Sequence, residues 1–226
     1  MELYKQQFIE FMVNAGALQF GDFTLRSGRK APFFMNTGHF DTGVKLRRLG
    51  HFYAQAVVNL IGPHFHCLFG PAYKGISLAS ATAIALAENY DLDVAVTFNR
   101  KEAKDHGEGG NLIGCKLQNG ERVVIIDDVT TSGTSVRESI EILRVAAKVE
   151  VAGVIVSVDR QERSLDSDKS ALSALRDELG IKVGAIVTLD DIVDHLHNRV
   201  DEENHIMMDD AVFAAIQAYR AKYGAK

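Results

Sequence analysis

Two adjacent carboxylates, Asp127 and Asp128, follow four β-branched apolar residues, Val123, Val124, Ile125 and Ile126. After them come Val129 and a small, hydroxyl-rich run: Thr130, Thr131, Ser132, Gly133, Thr134 and Ser135. An apolar run of this kind favours a buried strand. Val136, Ile140, Leu143 and Ala147 then recur at helical spacing, which predicts a helix starting near Thr134 or Ser135. A strand, loop and helix in that order would turn loop N–H groups and hydroxyls toward an anion at the helix N-terminus. The carboxylates would repel phosphate directly. They could instead accept hydrogen bonds from sugar hydroxyls, or hold a Mg²⁺ shell. A phosphate cradle beside an acid pair suits a sugar phosphate. An isolated Asp-Asp reads more simply as a capped turn; the whole run favours function.

Cations stand near other predicted strand ends. Tyr73 and Lys74 follow the short apolar run Cys67, Leu68, Phe69; Arg100 and Lys101 follow residues 94–98; Arg160 follows the apolar run 151–158 and Asp159. Residues 99–110 carry Arg100, Lys101, Lys104 and His106 among three glycines. Such a stretch cannot pack as core, but it can close over a charged anion and exclude water. A further turn holds Arg26, Arg29 and Lys30 around Ser27 and Gly28. An anion at a helix N-terminus gains only ~0.3–2 kcal/mol from the helix dipole. A multiply charged substrate therefore needs these cations, and Mg²⁺, as well.

These groups need a scaffold. Apolar runs at strand length alternate with segments at helical spacing through the middle of the 226 residues. This predicts an α/β fold: a mostly parallel sheet with helices on both faces, and the ligand at the carboxyl ends of the strands. At the N-terminus, Tyr4, Phe8, Phe11, Met12 and Ala15 predict a helix; residues 18–20, 23–25 and 32–35 predict short strands. Val212, Ile216, Tyr219 and Tyr223 predict a last helix capped by Asp209 or Asp210. His195 and His197 read as solvated. The formal charge of −5 argues against general nucleic-acid binding. Two distant cysteines, Cys67 and Cys115, without metal spacing fit a reduced cytoplasmic setting. There is no signal-peptide core, no apolar stretch long enough for a membrane span, no P-loop, no G-x-G-x-x-G and no G-x-S-x-G.

The run 123–135 resembles the PRPP (5-phosphoribosyl 1-diphosphate) signature of type I phosphoribosyltransferases. Four further stretches, 23–29, 69–75, 98–110 and 159–163, resemble the bacterial orotate phosphoribosyltransferases of that family along nearly the whole chain. The resemblance implies a single type I phosphoribosyltransferase-like domain, with a small N-terminal hood over about residues 1–40, a core to about 200 and a C-terminal helix near 209–223. It implies transfer of phosphoribose from PRPP to orotate with Mg²⁺, in pyrimidine nucleotide synthesis. The metal would be held mainly by PRPP and water, with no direct protein ligand.

The resemblance also implies roles. Thr130, Thr131, Ser132, Gly133, Thr134 and Ser135, with Val129, would cradle the 5′-phosphate. Asp127 and Asp128 would meet the ribose hydroxyls. Arg26, Tyr73, Lys74, Arg100, Lys101, Lys104 and His106 would complete the PRPP site. Phe34, Met35, Thr131 and Arg160 would hold orotate. Lys104 and Asp128 are the candidate catalytic residues. A homodimer would share each site between subunits, with no nucleic acid or membrane partner. The family usually has Lys where Arg26 stands, so a fork replaces a point charge there. Residues 164–169 read as a surface insertion, and Arg163 as solvated. The alternatives are a transferase for another base, or a PRPP-sensing regulator.

Overall fold

The computed structural model describes residues 1–25, 28–101, 111–129, 132–164, 167–201 and 204–225. In chain order the elements are α1 (Leu3–Asn14), β1 (Leu18–Thr24), β2 (Lys30–Met35), a 3₁₀ turn (Thr37–His39), α2 (Gly43–Leu60), β3 (Cys67–Gly70), α3 (Lys74–Tyr90), β4 (Ala95–Asn99) and β5 (Leu112–Gly114). They continue as β6 (Arg122–Ile126), α4 (Thr134–Ala146), β7 (Glu150–Asp159), α5 (Ala171–Leu179), β8 (Lys182–Thr188), α6 (Leu189–Leu196) and α7 (Asp210–Tyr223).

Six strands form one sheet in the order β5-β4-β3-β6-β7-β8, parallel except for β5. Successive residues of the central strands face opposite layers. Leu68, Val124 and Ile126 join the core with Phe8, Phe52, Tyr53 and Leu86, under α1, α2 and α3. Phe69, Val123 and Ile125 join Val136, Ile140 and Leu143 of α4 and Leu172 and Leu175 of α5. Both faces are covered, which is why these strands are continuously apolar. The fold is thus the α/β class expected from the sequence.

The strand order has a functional consequence. The chain leaves β3 toward β4 on one side, and leaves β6 toward β7 on the other. The loops after β3 and β6 therefore diverge, and a crevice opens between adjacent strand ends at this switch point.

β1 and β2 pair antiparallel as a separate small sheet. The two short strands expected at 18–20 and 23–25 are one strand, with a register shift between Phe20 and Phe23. α7 covers this hairpin: Ile216 and Tyr219 are buried, and Phe33 meets the Tyr219 ring edge-on at 5.8 Å.

Two expectations of solvated side chains, for His195 and His197, are corrected. His195 is buried, because α6 packs against α1; its Nε2 lies 3.0 Å from Glu10 Oε1, and Arg199 Nη2 lies 2.6 Å from the same oxygen. His197 lies 2.8 Å from Asp210 and stacks on Phe213 at 4.0 Å. Arg163 donates from its side chain to Lys222 O at 2.8 Å and from its backbone to Tyr223 O at 2.9 Å, so it fastens the end of α7.

Candidate active site

The two aspartates have opposite environments. They continue β6 beyond its last residue and are held from both sides. Asp127 N donates to Ile155 O at 3.1 Å, and Ser157 donates to Asp128 O from its amide (2.8 Å) and its hydroxyl (2.6 Å). From α2, the fully buried Tyr53 donates its hydroxyl to Asp127 O at 2.8 Å. With the backbone pinned, the side chains diverge. Asp127 turns inward: Oδ1 accepts the Asp128 amide at 2.9 Å and Oδ2 accepts the Ser135 hydroxyl at 2.6 Å. Burial pushes its carboxyl above the usual range, and the two hydrogen bonds pull the other way. Asp128 turns outward into the crevice.

There Asp128 meets the first residue of α3. Lys74 Nζ lies 2.7 Å from Asp128 Oδ2 and 3.1 Å from Thr37 Oγ1, and Thr37 donates its hydroxyl to the same Asp128 oxygen at 3.1 Å. The triangle joins three parts of the chain: the β3–α3 turn, the β6–α4 loop and the 3₁₀ turn after β2. Lys74 is exposed, so the pair is worth little as a stabilising contact, about 0–1 kcal/mol. Its exposed charge can exchange partners when an anion arrives.

The loop into α4 is shaped by backbone geometry. Gly133 has φ +75, where a side chain is strained, and an added Cβ would meet Leu175 of α5 at 3.0 Å. Ser132 and Thr134 hydroxyls are 2.9 Å apart, and Arg137 Nη1 donates to Ser132 O at 2.8 Å. Val129 is half-buried. Thr130 and Thr131 lie outside the described residues, as do Arg26, Lys104 and His106.

Across the crevice, Tyr73 is 73% exposed, with Lys101 Nζ 5.8 Å from its ring centroid. Asn99 Oδ1 accepts the Ala72 amide at 2.8 Å and ties the β3 turn to the end of β4. Arg100 Nε is buried without a hydrogen-bond partner among the described residues. Beyond the triangle, Phe34 is half-buried and stacks on Phe23 at 5.4 Å, while Met35 packs against the core. Arg160, one residue past β7, lies over the Phe33 ring at 5.0 Å and pairs with Glu162 Oε1 through Nη2 at 2.6 Å.

Thus Lys74 and Asp128 meet directly, with Asp127 and Ser135 behind them, and Tyr73 adjoins Lys74. Arg160 and Phe34 belong to the neighbouring strand ends. Sequence reasoning assigned no role to Thr37, Tyr53, Ser157 or Asn99. A separate polar cleft of about 660 Å³ lies beyond α5. Asp190 there is already engaged by Arg220 at 2.5 Å and by Gln161 Nε2 at 2.7 Å. The crevice, with its exposed lysine, is the better anion site.

Comparison with known proteins bears on the family and the fold. The family described as "Phosphoribosyl transferase domain" matches residues 45–191. The orotate phosphoribosyltransferase of Lachnoclostridium phytofermentans is 50% identical over 224 residues, 99% of each chain. The crystal structure of orotate phosphoribosyltransferase from Francisella tularensis superposes with a TM-score of 0.82 at 38% identity, covering 96% of this chain and 99% of that one. The adenine phosphoribosyltransferase of Leishmania donovani, 15% identical over 90% of this chain and 84% of its own, shares the fold alone at a TM-score of 0.54.

Proposed function

We propose how a chain that belongs to the orotate phosphoribosyltransferases, within the phosphoribosyl transferase domain family, performs the reaction its family is named for. PRPP lies across the crevice between the ends of β3 and β6. Its 5′-phosphate sits at the α4 N-terminus against residues 129–135, where amide groups and the helix dipole favour an anion. Asp127 and Asp128 meet the ribose hydroxyls, and Asp127 also holds Ser135 of the loop. Tyr73, Lys74, Arg100, Lys101, Lys104 and His106 surround the diphosphate, and Arg26 adds to the field. Phe34, Met35, Thr131 and Arg160 hold orotate.

The bond from the anomeric carbon to the diphosphate oxygen breaks as the orotate ring nitrogen attacks that carbon. Positive charge grows on the ribose and negative charge on the leaving group. Cations fixed on the diphosphate side, with a carboxylate on the ribose side, stabilise both halves of this separation. The observation that carries the reading is the Lys74–Asp128–Thr37 triangle, which places one cation and one acid at the switch-point crevice.

Mg²⁺ would supply charge neutralisation on the diphosphate. Asp128 offers one partly exposed carboxylate, and no group of three His, Cys, Asp or Glu that could hold a metal occurs among the described residues. This arrangement suits an ion carried in by PRPP oxygens and water. We place the enzyme in the cytoplasm as a homodimer that shares its two sites. Exposed Tyr73 and Lys101 support a site finished by a second subunit.

The test is the ultraviolet absorbance of orotate with protein, PRPP and Mg²⁺, beside mixtures lacking each component and one offering hypoxanthine. Loss of orotate only in the complete mixture is expected. Persistence of orotate while PRPP still binds would move the assignment to another base or to a sensor.

A further inference from the structure

Two arginines share one carboxylate beside the proposed base site. Glu162 Oε1 accepts from Arg160 Nε at 2.8 Å and lies 2.6 Å from its Nη2; Oε2 lies 3.4 Å from Arg29 Nη1. All three side chains are largely buried, with 11–14% of each exposed. Each guanidinium also lies over an aromatic ring, Arg160 over Phe33 and Arg29 over Tyr223. Arg29 donates as well to Arg163 O. The Tyr219 phenol is pushed up to about 12, by burial first and by Glu162 next, so it stays protonated beside the carboxylate. Two guanidiniums and one carboxylate leave one net positive charge.

We propose that Glu162 is a positioning residue for orotate: it fixes Arg160 against Phe33 and leaves that cluster the single positive charge that one carboxylate on the base can neutralise. The inference rests on the reading that Arg160 meets orotate. Without Glu162, two partly desolvated guanidiniums would face one another uncompensated, a costly arrangement. Arg160 would then relax toward solvent, giving up its ring contact and its aim. With Glu162 in place, the long side chain is ordered before the ligand arrives, so less rotamer freedom is lost on binding.

Steady-state kinetics of Glu162→Gln, Arg160→Ala and the double variant provide the test, with titrations of orotidine 5′-phosphate and ribose 5-phosphate. Glu162→Gln is expected to raise KM for orotate about tenfold, with KM for PRPP unchanged. Affinity should fall for orotidine 5′-phosphate but not for ribose 5-phosphate. The double variant should be no worse than Arg160→Ala, because Glu162 acts through Arg160. Glu162→Asp, which keeps the charge, should recover part of the orotate affinity.

If Arg160→Ala weakens orotate and Glu162→Gln does not, the positioning role is overturned and the reading of Arg160 stands. If Arg160→Ala leaves orotate untouched, both fall. A Glu162→Gln protein that loses thermal stability and affinity for all ligands alike would make Glu162 a fastener of α7 only, which also overturns the proposal. Should Glu162→Gln fail to fold, Glu162→Asp decides: unchanged orotate KM overturns the role, and a raised orotate KM alone supports it.

Discussion

Asp127 illustrates how one side chain can cost stability while shaping a site. Its carboxyl titrates above the ordinary 3.8 in the folded protein, chiefly because it is buried. Folding then binds a proton in the window above pH 3.8. The stability contributed by the neutral acid is full below the unfolded value and is lost as pH rises through the folded one. At neutral pH the ionised group is a burden, at about 1.4 kcal/mol for each pH unit between the two titrations. Asp127→Asn should therefore melt higher than the parent at pH 7, by roughly 2–4 °C for each kcal/mol in a chain of this size. The gain should vanish near pH 4, and turnover should fall, since Ser135 and the loop lose their anionic partner. Calorimetry across pH checks the first part and orotate consumption the second. A melting point that does not rise at pH 7 would contradict burial as the main influence. The outward neighbour, Asp128, faces the crevice and meets Lys74, and nothing in the sequence distinguishes the two.

At the scale of elements, the closest approach in the site is between β3 and α3. A Cβ on Gly75 would lie 2.5 Å from Pro71 Cδ and 2.8 Å from Gly70 C, and one on Gly70 would meet Gly75 O at 2.1 Å. Backbone touches backbone here, and that contact delivers Lys74 to Asp128. Gly75→Ala should cost about 1–3 kcal/mol through overpacking. It should also raise KM for PRPP more than KM for orotate, by displacing Lys74. Thermal melting with separate substrate titrations measures both; an unchanged melting point would mean that the turn yields freely. The β6–loop–α4 unit was legible because a β-branched run gives way to helical spacing at Val136. β5 was not, since Leu112–Gly114 is too short to show a period and, among the described residues, pairs only with β4. At the site, acids and cations announced themselves by type. Thr37 and Tyr53 did not, because their partners lie 91 and 74 residues away and no local pattern marks an ordinary hydroxyl for such a contact. His195 was misread for the same reason: its partner Glu10 lies 185 residues away.

For the whole molecule, net charge and site charge point in opposite directions. A chain at −5 gathers Lys74, Arg100 and Lys101 at one rim of the sheet, and the proposed dimer would let each subunit lend such cations to the other. This sharing makes a numerical prediction. Lys104→Ala removes a cation from the loop, and is expected to lower kcat far more than PRPP affinity; Arg160→Ala removes the orotate partner. Each homodimer should be nearly inactive. Mixed and re-associated at equal amounts, about half of the dimers would be hybrids. If the loop serves the neighbouring subunit, one site of each hybrid draws Arg160 from the first variant and Lys104 from the second, and is intact. The other site holds both lesions. One working site in half of the dimers gives about a quarter of the parent activity. If the loop serves its own subunit, every hybrid site carries one lesion and mixing restores nothing. The measurement is orotate consumption before and after subunit exchange, with hybrid content counted by native mass spectrometry. Recovery proportional to hybrid content would place Lys104 across the subunit boundary from Arg160. Hybrids without recovery would return the loop to its own crevice.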